Sequence, residues 1–162
     1  MTAPHIKPKA TRIVAIDYGL KRIGIAFSDE TKTIAMPLST MQCEKKTEDT
    51  VKKLVQKLEN HQKEFNYDLY EIVVGLPLMM NGKMGFLADE TKYFIGLLKK
   101  NVTIPILSWD ERLSTVQADR SMREGNLSRK KRAQSVDNVA AIIILQSYLD
   151  HIKLKNEGIL YS

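Results

Sequence analysis

Two apolar runs near the amino terminus, Arg12-Ile13-Val14-Ala15-Ile16-Asp17 and Ile23-Gly24-Ile25-Ala26-Phe27-Ser28, are joined only by Tyr18-Gly19-Leu20-Lys21-Arg22. So short a link closes an antiparallel hairpin but cannot hold the helix that a parallel crossover needs. Four consecutive apolar residues in the first run suit a strand buried on both faces, and the second run alternates as a half-buried strand does. A third run, Thr33 to Leu38, extends the hairpin, with Pro37 marking a sheet edge. The rhythm then changes to helix and strand in alternation. Thr47 caps a helix with Glu48 and Asp49 in its first turn and Val51, Leu54, Val55, Leu58 and Phe65 as its apolar stripe. Glu71 to Gly75 reads as a short buried strand, and Phe86 to Lys100 as a helix with Leu87, Phe94, Leu97 and Leu98 facing inward. Val102 to Trp109 is the fifth strand, and Pro105 again argues for an edge. Ser114 and Gln117 form a capping box for a short helix ending at Gly125, and a last helix runs from Ser135 to about Ile152. A hairpin succession followed by alternation is not a Rossmann pattern. It predicts an α/β fold with a five-stranded mixed sheet, order 3-2-1-4-5, flanked by helices and with its first strand central. Residues 12–152 are expected to form a single domain between a flexible N-terminal tail, 1–11, and a C-terminal tail, 153–162.

Composition narrows the class. At 162 residues the chain fits one domain with a sizeable core. Its one cysteine, Cys43, excludes an internal disulfide and a cysteine-rich zinc site, as suits a reducing cytoplasm. His5, His61 and His151 are scattered without metal-ligand spacing. The first residues carry no apolar segment of the secretory kind, and the longest apolar stretch, Val139 to Leu145, is far too short to span a bilayer. The expectation is a cytoplasmic protein without membrane partners.

Asp17 is the first candidate functional residue. A carboxylate at the end of a central strand is costly to desolvate unless a cation or a strong hydrogen-bond network compensates it, so such a position serves a metal or a substrate. The alternative is a turn-starting aspartate that hydrogen-bonds its own backbone before Gly19. Asp110-Glu111-Arg112 follows the fifth strand directly, at the same carboxyl end of the sheet, where open α/β sheets place their chemistry. Asp137 lies in the first turn of the last helix by this reading. Each of these acids alone could merely satisfy a helix dipole. Together they make an acidic triad from separated segments, as two-metal phosphodiester hydrolysis requires, and oxygen-only ligands suit Mg2+ or Mn2+.

The net charge of +6 is unevenly placed, because Arg120, Arg123, Arg129, Lys130, Lys131 and Arg132 face a single acid, Glu124, within one segment. Such a cluster favours a polyphosphate partner through counterion release; the plainer reading is a solvated basic loop.

Four ordered motifs now add up. Asp17-Tyr18-Gly19 with Lys21-Arg22-Ile23-Gly24, then Gly75-Leu76-Pro77-Leu78 with Asn81-Gly82, then Asp110-Glu111-Arg112-Leu113-Ser114-Thr115, and finally Lys131-Arg132 with Val136-Asp137-Asn138-Val139-Ala140-Ala141-Ile142, resemble the YqgF/RuvX family over about Arg12 to Leu149. The resemblance implies a ribonuclease H-like fold and a hydrolase that processes the 5′ end of pre-16S ribosomal RNA in ribosome biogenesis. It also implies similarity to RuvC, from which the family has been described as Holliday junction resolvases. By resemblance Asp17, Glu111 and Asp137 are the catalytic carboxylates and metal ligands, with Asp110 a substitute for Glu111. One departure from RuvC-type enzymes stands out: the fourth strand ends in Gly75-Leu76-Pro77, so the middle carboxylate must come from the next strand.

Supporting roles follow. Lys21, Arg22, Arg112, Arg129, Lys130, Lys131 and Arg132 are candidates for nucleic-acid binding, with structured precursor rRNA the expected partner. Gly75, Asn81 and Gly82 frame a loop whose backbone could approach a phosphate, or simply end a strand and make a turn. Trp109 reads as a buried end-of-strand residue rather than a base-stacking one. Two other classes compete with the nuclease: a non-catalytic RNA-binding domain of the same fold, and an actin-like ATPase, whose phosphate loop the Asp-x-Gly at the hairpin also resembles. The ATPase would need a second lobe that this chain is too short to contain. An oligomer is compatible with the sequence, and a resolvase would need a two-fold dimer.

Overall fold

The computed structural model describes residues 7–158 apart from 115–128; of residues 129–138 it describes the helical backbone. Strands β1 (Ala10–Tyr18), β2 (Arg22–Ser28) and β3 (Ala35–Gln42) form an antiparallel meander. Helix α1 (Thr47–Phe65) leads to β4 (Tyr67–Leu76), and α2 (Phe86–Asn101) leads to β5 (Ile106–Asp110). A 3-10 turn, Glu111–Leu113, follows β5, and α3 (Arg129–Asn156) ends the described chain. The sheet order is β3-β2-β1-β4-β5, with β1 parallel to β4 and β4 parallel to β5. This is the expected mixed sheet with β1 at its centre and both proline-marked strands at its edges.

The alternation of side chains divides the core in two. Val14, Ile16, Tyr18, Ile72 and Val74 point to the face covered by α1 and α2, where they meet Val51, Leu54, Leu58, Phe94 and Leu98. Ile13, Ala15, Ala26 and Val73 point to the other face and meet Ala140, Ala141, Ile144, Leu145 and Tyr148 of α3. The four-residue apolar run of β1 is therefore buried on both sides, as its sequence predicts. Alanines on both sides of the second interface let α3 lie close to the sheet.

Several boundaries differ from the sequence expectation, each for a local reason. β3 starts at Ala35 and continues to Gln42, because its pairing with β2 carries on past Leu38. The α1 N-cap is Lys46, with no side-chain cap; the segment before it is fastened by Glu44 N–H donating to Thr50 Oγ1. Phe65 is half-exposed, since α1 ends there and Asn66 turns the chain in the left-handed region at φ 52°. On α2 the buried face is Ala88, Thr91, Phe94, Ile95 and Leu98, with Leu87 and Leu97 only partly covered. β5 is shorter than expected, because Val102 still caps α2 through its N–H to Leu98 O. Ser114 closes the 3-10 turn, its N–H and Oγ both donating to Glu111 O. The expected short helix to Gly125 lies outside the described residues. Finally, α3 begins at Arg129 rather than Ser135, so the basic run forms its first turn.

Candidate active site

The carboxyl ends of β1, β4 and β5 lie side by side, and Asp17, Asp110 and Glu111 lie there. Asp17 is 4% exposed. It alternates with Ile13 and Ala15, so it belongs to the face that α3 covers. Its cross-strand partner on β2 is Gly24, and the register Ile16 to Val74 puts Gly75 of β4 on its other side. A buried carboxylate thus stands between two residues without side chains. Neighbouring strands lie about 4.8 Å apart. Within the sheet, therefore, no side chain of β2 or β4 stands directly beside Asp17.

Gly75 is a close-approach glycine. A Cβ there would come within 2.5 Å of Ile144 Cδ1 and 2.8 Å of Glu111 Oε1. The Glu111 carboxylate therefore lies over the end of β4, on the Asp17 face, and Glu111 is 2% exposed. A carboxylate from the turn after β5 occupies the space that a side chain of β4 would have filled. That observation gives the expected departure from RuvC-type sequences a physical form.

Asp110 and Glu111 are adjacent in sequence and opposite in use. Asp110 Oδ1 accepts the Arg112 N–H at 2.9 Å, and Arg112 Nη2 donates to Asp110 Oδ2 at 2.6 Å. Hydrogen bonds from Arg112 hold the Asp110 carboxyl below the usual carboxylate range, outweighing the opposing effect of burial. Asp110 is committed to capping the turn that presents Glu111. The same turn is tied to α3: Trp109 Nε1 donates to Ser147 Oγ at 3.2 Å, and Ser147 Oγ donates to Leu113 O at 3.2 Å. Trp109 is partly buried against Tyr148 and His151, which agrees with a packing role rather than a stacking one.

Asp137 belongs to α3, and its side chain lies outside the described residues, as do those of Arg129, Lys130, Lys131 and Arg132. Because α3 starts at Arg129, position 137 is about two turns into the helix. A helix-dipole role, which fades within the first turn, no longer accounts for an acid there. Among the described residues no group of three or more His, Cys, Asp and Glu side chains is arranged to hold a metal ion. Asp17 and Glu111 supply two carboxylates on one face. Lys21 is exposed and Arg22 partly buried at the β1–β2 turn, at the same end of the sheet. Asn81 Oδ1 accepts the Lys83 N–H, and Gly82 takes φ 81°, so this pair makes a turn.

The sequence profile of a family described as "RuvX: Holliday junction resolvase" matches residues 11–151. The chain belongs to the RuvX family. A relative from Protochlamydia amoebophila (strain UWE25) is 58% identical over 144 residues, 89% of this chain and 96% of its own length. One from Clostridium acetobutylicum is 44% identical over 141 residues, 87% of this chain and 99% of its own. Both carry the name "Putative pre-16S rRNA nuclease". Among solved structures, T. thermophilus RuvC in complex with Holliday junction substrate matches with TM-score 0.52 at 12% identity, covering 92% of this chain and 97% of that one. With the observed sheet order, this likeness makes the fold ribonuclease H-like.

Two hollows, of about 730 and 640 Å3, lie away from this RuvX site: one between β3 and α1, the other under the carboxyl-terminal half of α3. Neither is lined by Asp17 or Glu111. The carboxyl ends of β1, β4 and β5 form the rim of the candidate site. Two features of that rim escape a reading of the sequence. Ile144 and Ser147 of α3 shape and tether the Glu111 turn, and no short-range pattern signals so distant a contact. Exposed Met79, Met80 and Phe86 flank the glycines of the β4–α2 loop, and their one signal is apolar residues where a polar loop is expected.

Proposed function

We propose that this RuvX chain is a metal-dependent nuclease that hydrolyses phosphodiester bonds, processing the 5′ end of pre-16S rRNA in the cytoplasm. The observation that carries this reading is the pair Asp17 and Glu111, both buried on one face, with Glu111 lying over Gly75 and glycine on both sides of Asp17. Carboxylates buried on one face are costly to desolvate, and a divalent cation bound there would offset part of that cost. Their all-oxygen donor set fits Mg2+ or Mn2+ and does not fit zinc. Asp17 and Glu111 would hold the cation, with Asp137 of α3 as the third ligand and Asp110 supporting Glu111 through the turn. When bound, such ions polarise phosphoryl oxygens and lower the pKa of water. Lys21, Arg22 and the basic first turn of α3 hold the phosphates that flank the scissile bond. The names of the two relatives favour precursor rRNA as substrate, and the family description favours branched DNA as the second reading.

The test is cleavage of structured RNA, linear DNA and four-way junctions with Mg2+, Mn2+ or chelator. We expect metal-dependent cutting, best on structured RNA, and its loss in Asp17→Asn with substrate binding retained. Mg2+ or Mn2+ should also raise the melting temperature of the wild type, and do so less for Asp17→Asn. Wild-type cleavage rates in Asp17→Asn, with contaminating nuclease excluded, would sink the metal-site reading. Preferred cutting of junctions would replace rRNA with the resolvase substrate.

A further inference from the structure

We infer that the rim around the carboxylates docks the faces of unpaired bases, so that the substrate is engaged through a single-stranded stretch of nucleic acid. The inference rests on the nuclease reading and names the substrate feature that the site selects. Three neighbouring strands end at this rim, and each hands over to an exposed apolar residue. These are Leu20 after β1, Met79 and Met80 after β4, and Leu113 after β5. Phe86, the first residue of α2, closes the β4 loop. Met80 at 80%, Phe86 at 68% and Leu113 at 63% are the most exposed large apolar side chains among the described residues. Isolated surface apolar residues are ordinary, but a row of them bordering two buried carboxylates is not.

The platform is built rather than loose. Met79 N–H donates to Lys83 O at 3.0 Å, and Gly82 N–H donates to Met79 O at 2.8 Å. A Cβ on Gly82 would lie 3.3 Å from Arg112 Nη1, so the loop rests on the guanidinium that Asp110 holds. The backbone that carries Met79 and Met80 is thereby held in place, which lowers the ordering cost of a ligand that covers them.

Charge identifies the occupant. Exposed Lys21 and Lys83, with Arg112, lie among these apolar residues. That mixture matches a polymer offering a phosphate and a flat apolar face at every step. A duplex hides its base faces and would leave Met80 and Phe86 in water; an unpaired strand presents them. Phenylalanine stacks on such faces, and the polarisable thioether of methionine packs against them.

The experiment measures binding without cleavage, in chelator, by anisotropy of labelled oligonucleotides about a dozen residues long, within the usual site size. RNA and DNA are each presented single-stranded and as duplex, to the wild type and to the full-length double variant Met80→Ser/Phe86→Ser. The double variant should bind the single strands about ten-fold more weakly or worse. It should bind duplexes within two-fold of the wild type and melt at the same temperature, since both residues are exposed. A fluorescent base analogue in the strand should change emission on binding the wild type and not the double variant, and Phe86→Tyr should keep that change. Equal loss on strand and duplex, or no loss on the strand, would overturn the inference. So would a variant altered only in self-association, which would make the rim a contact between two copies. Because nothing is cut in this assay, failure of the nuclease reading appears separately, as absent cleavage by a wild type that still discriminates strand from duplex.

Discussion

Glycine 75 is the residue whose substitution should be most instructive. In Gly75→Ala the new methyl meets Ile144 Cδ1 at 2.5 Å and Glu111 Oε1 at 2.8 Å, so both must shift. Overpacking of this kind costs about 1–3 kcal/mol, and displacing a catalytic group by about 1 Å costs on the order of 100-fold in rate. Denaturant unfolding should register the first loss and single-turnover cleavage the second. Adding Ile144→Val removes the closer atom, so the double variant should regain stability while remaining slow. Full recovery of both would mean that Glu111 has no part in the chemistry. The sequence marks Gly75 as special but not why, because Ile144 is far along the chain and helix packing brings it there. Asp110 and Glu111 pose the opposite difficulty. They are neighbours in every sequence sense, yet Asp110 ends β5 as an extended N-cap and Glu111 opens the 3-10 turn. One therefore caps the turn while the other enters the site, a difference no residue pattern displays.

Among the elements, the strands were the most legible, since a short apolar run between turn residues has few alternatives. The order of hairpin and crossovers then fixed the sheet. Helix ends were less so, because local pairing and tertiary packing outweigh capping propensity at Thr47 and Ser135. The carboxyl-terminal end of α1 shows the consequence. Expected to be inward, Phe65 instead sits at the open edge of an aromatic seam with Phe27, His61 and Tyr67. Within it His61 Nδ1 and the Tyr67 hydroxyl are 2.6 Å apart. Burial pushes the His61 pKa below its usual value, with like charge from Arg12 adding to the effect and Glu64 opposing it. The folded state then binds fewer protons than the unfolded one on the acid side. His61 therefore contributes stability that is present above the unfolded histidine pKa of about 6.5 and is lost as pH falls towards the folded value. Burial also pushes Tyr67 up to about 12, so its contribution is lost as pH rises from about 10 through that value. Urea unfolding at pH 7.5 and 5.5 should show a decline in the wild type that is smaller in His61→Gln, whatever the offset between them. Equal declines would remove His61 from the acid response.

For the whole molecule the decisive quantity is where the charge lies. Five of the six net positive charges come from the segment Arg120 to Arg132. Four of its bases, Arg129, Lys130, Lys131 and Arg132, form the first turn of α3, which has no acid there. Cations at the positive end of a helix dipole disfavour the fold, so this placement serves something other than stability. Replacing the four by Gln should lower the slope of log K against log salt by about 3–4 units if each contacts a phosphate, at about 0.7–0.9 per contact. Binding titrations over a range of salt concentrations measure this, and an unchanged slope would show the run to be merely solvated. The melting temperature should not fall.

The one tryptophan of the chain sits at the seam where β5, the Glu111 turn and α3 meet, donating through Nε1 to Ser147. Its indole lies edge-on to Tyr148 and His151, both from α3. Ultraviolet emission from this molecule is therefore not an average over many chromophores. It is a local optical gauge of how firmly α3 is seated behind Glu111, available without a label, and the protein supplies its own readout of how that turn is assembled.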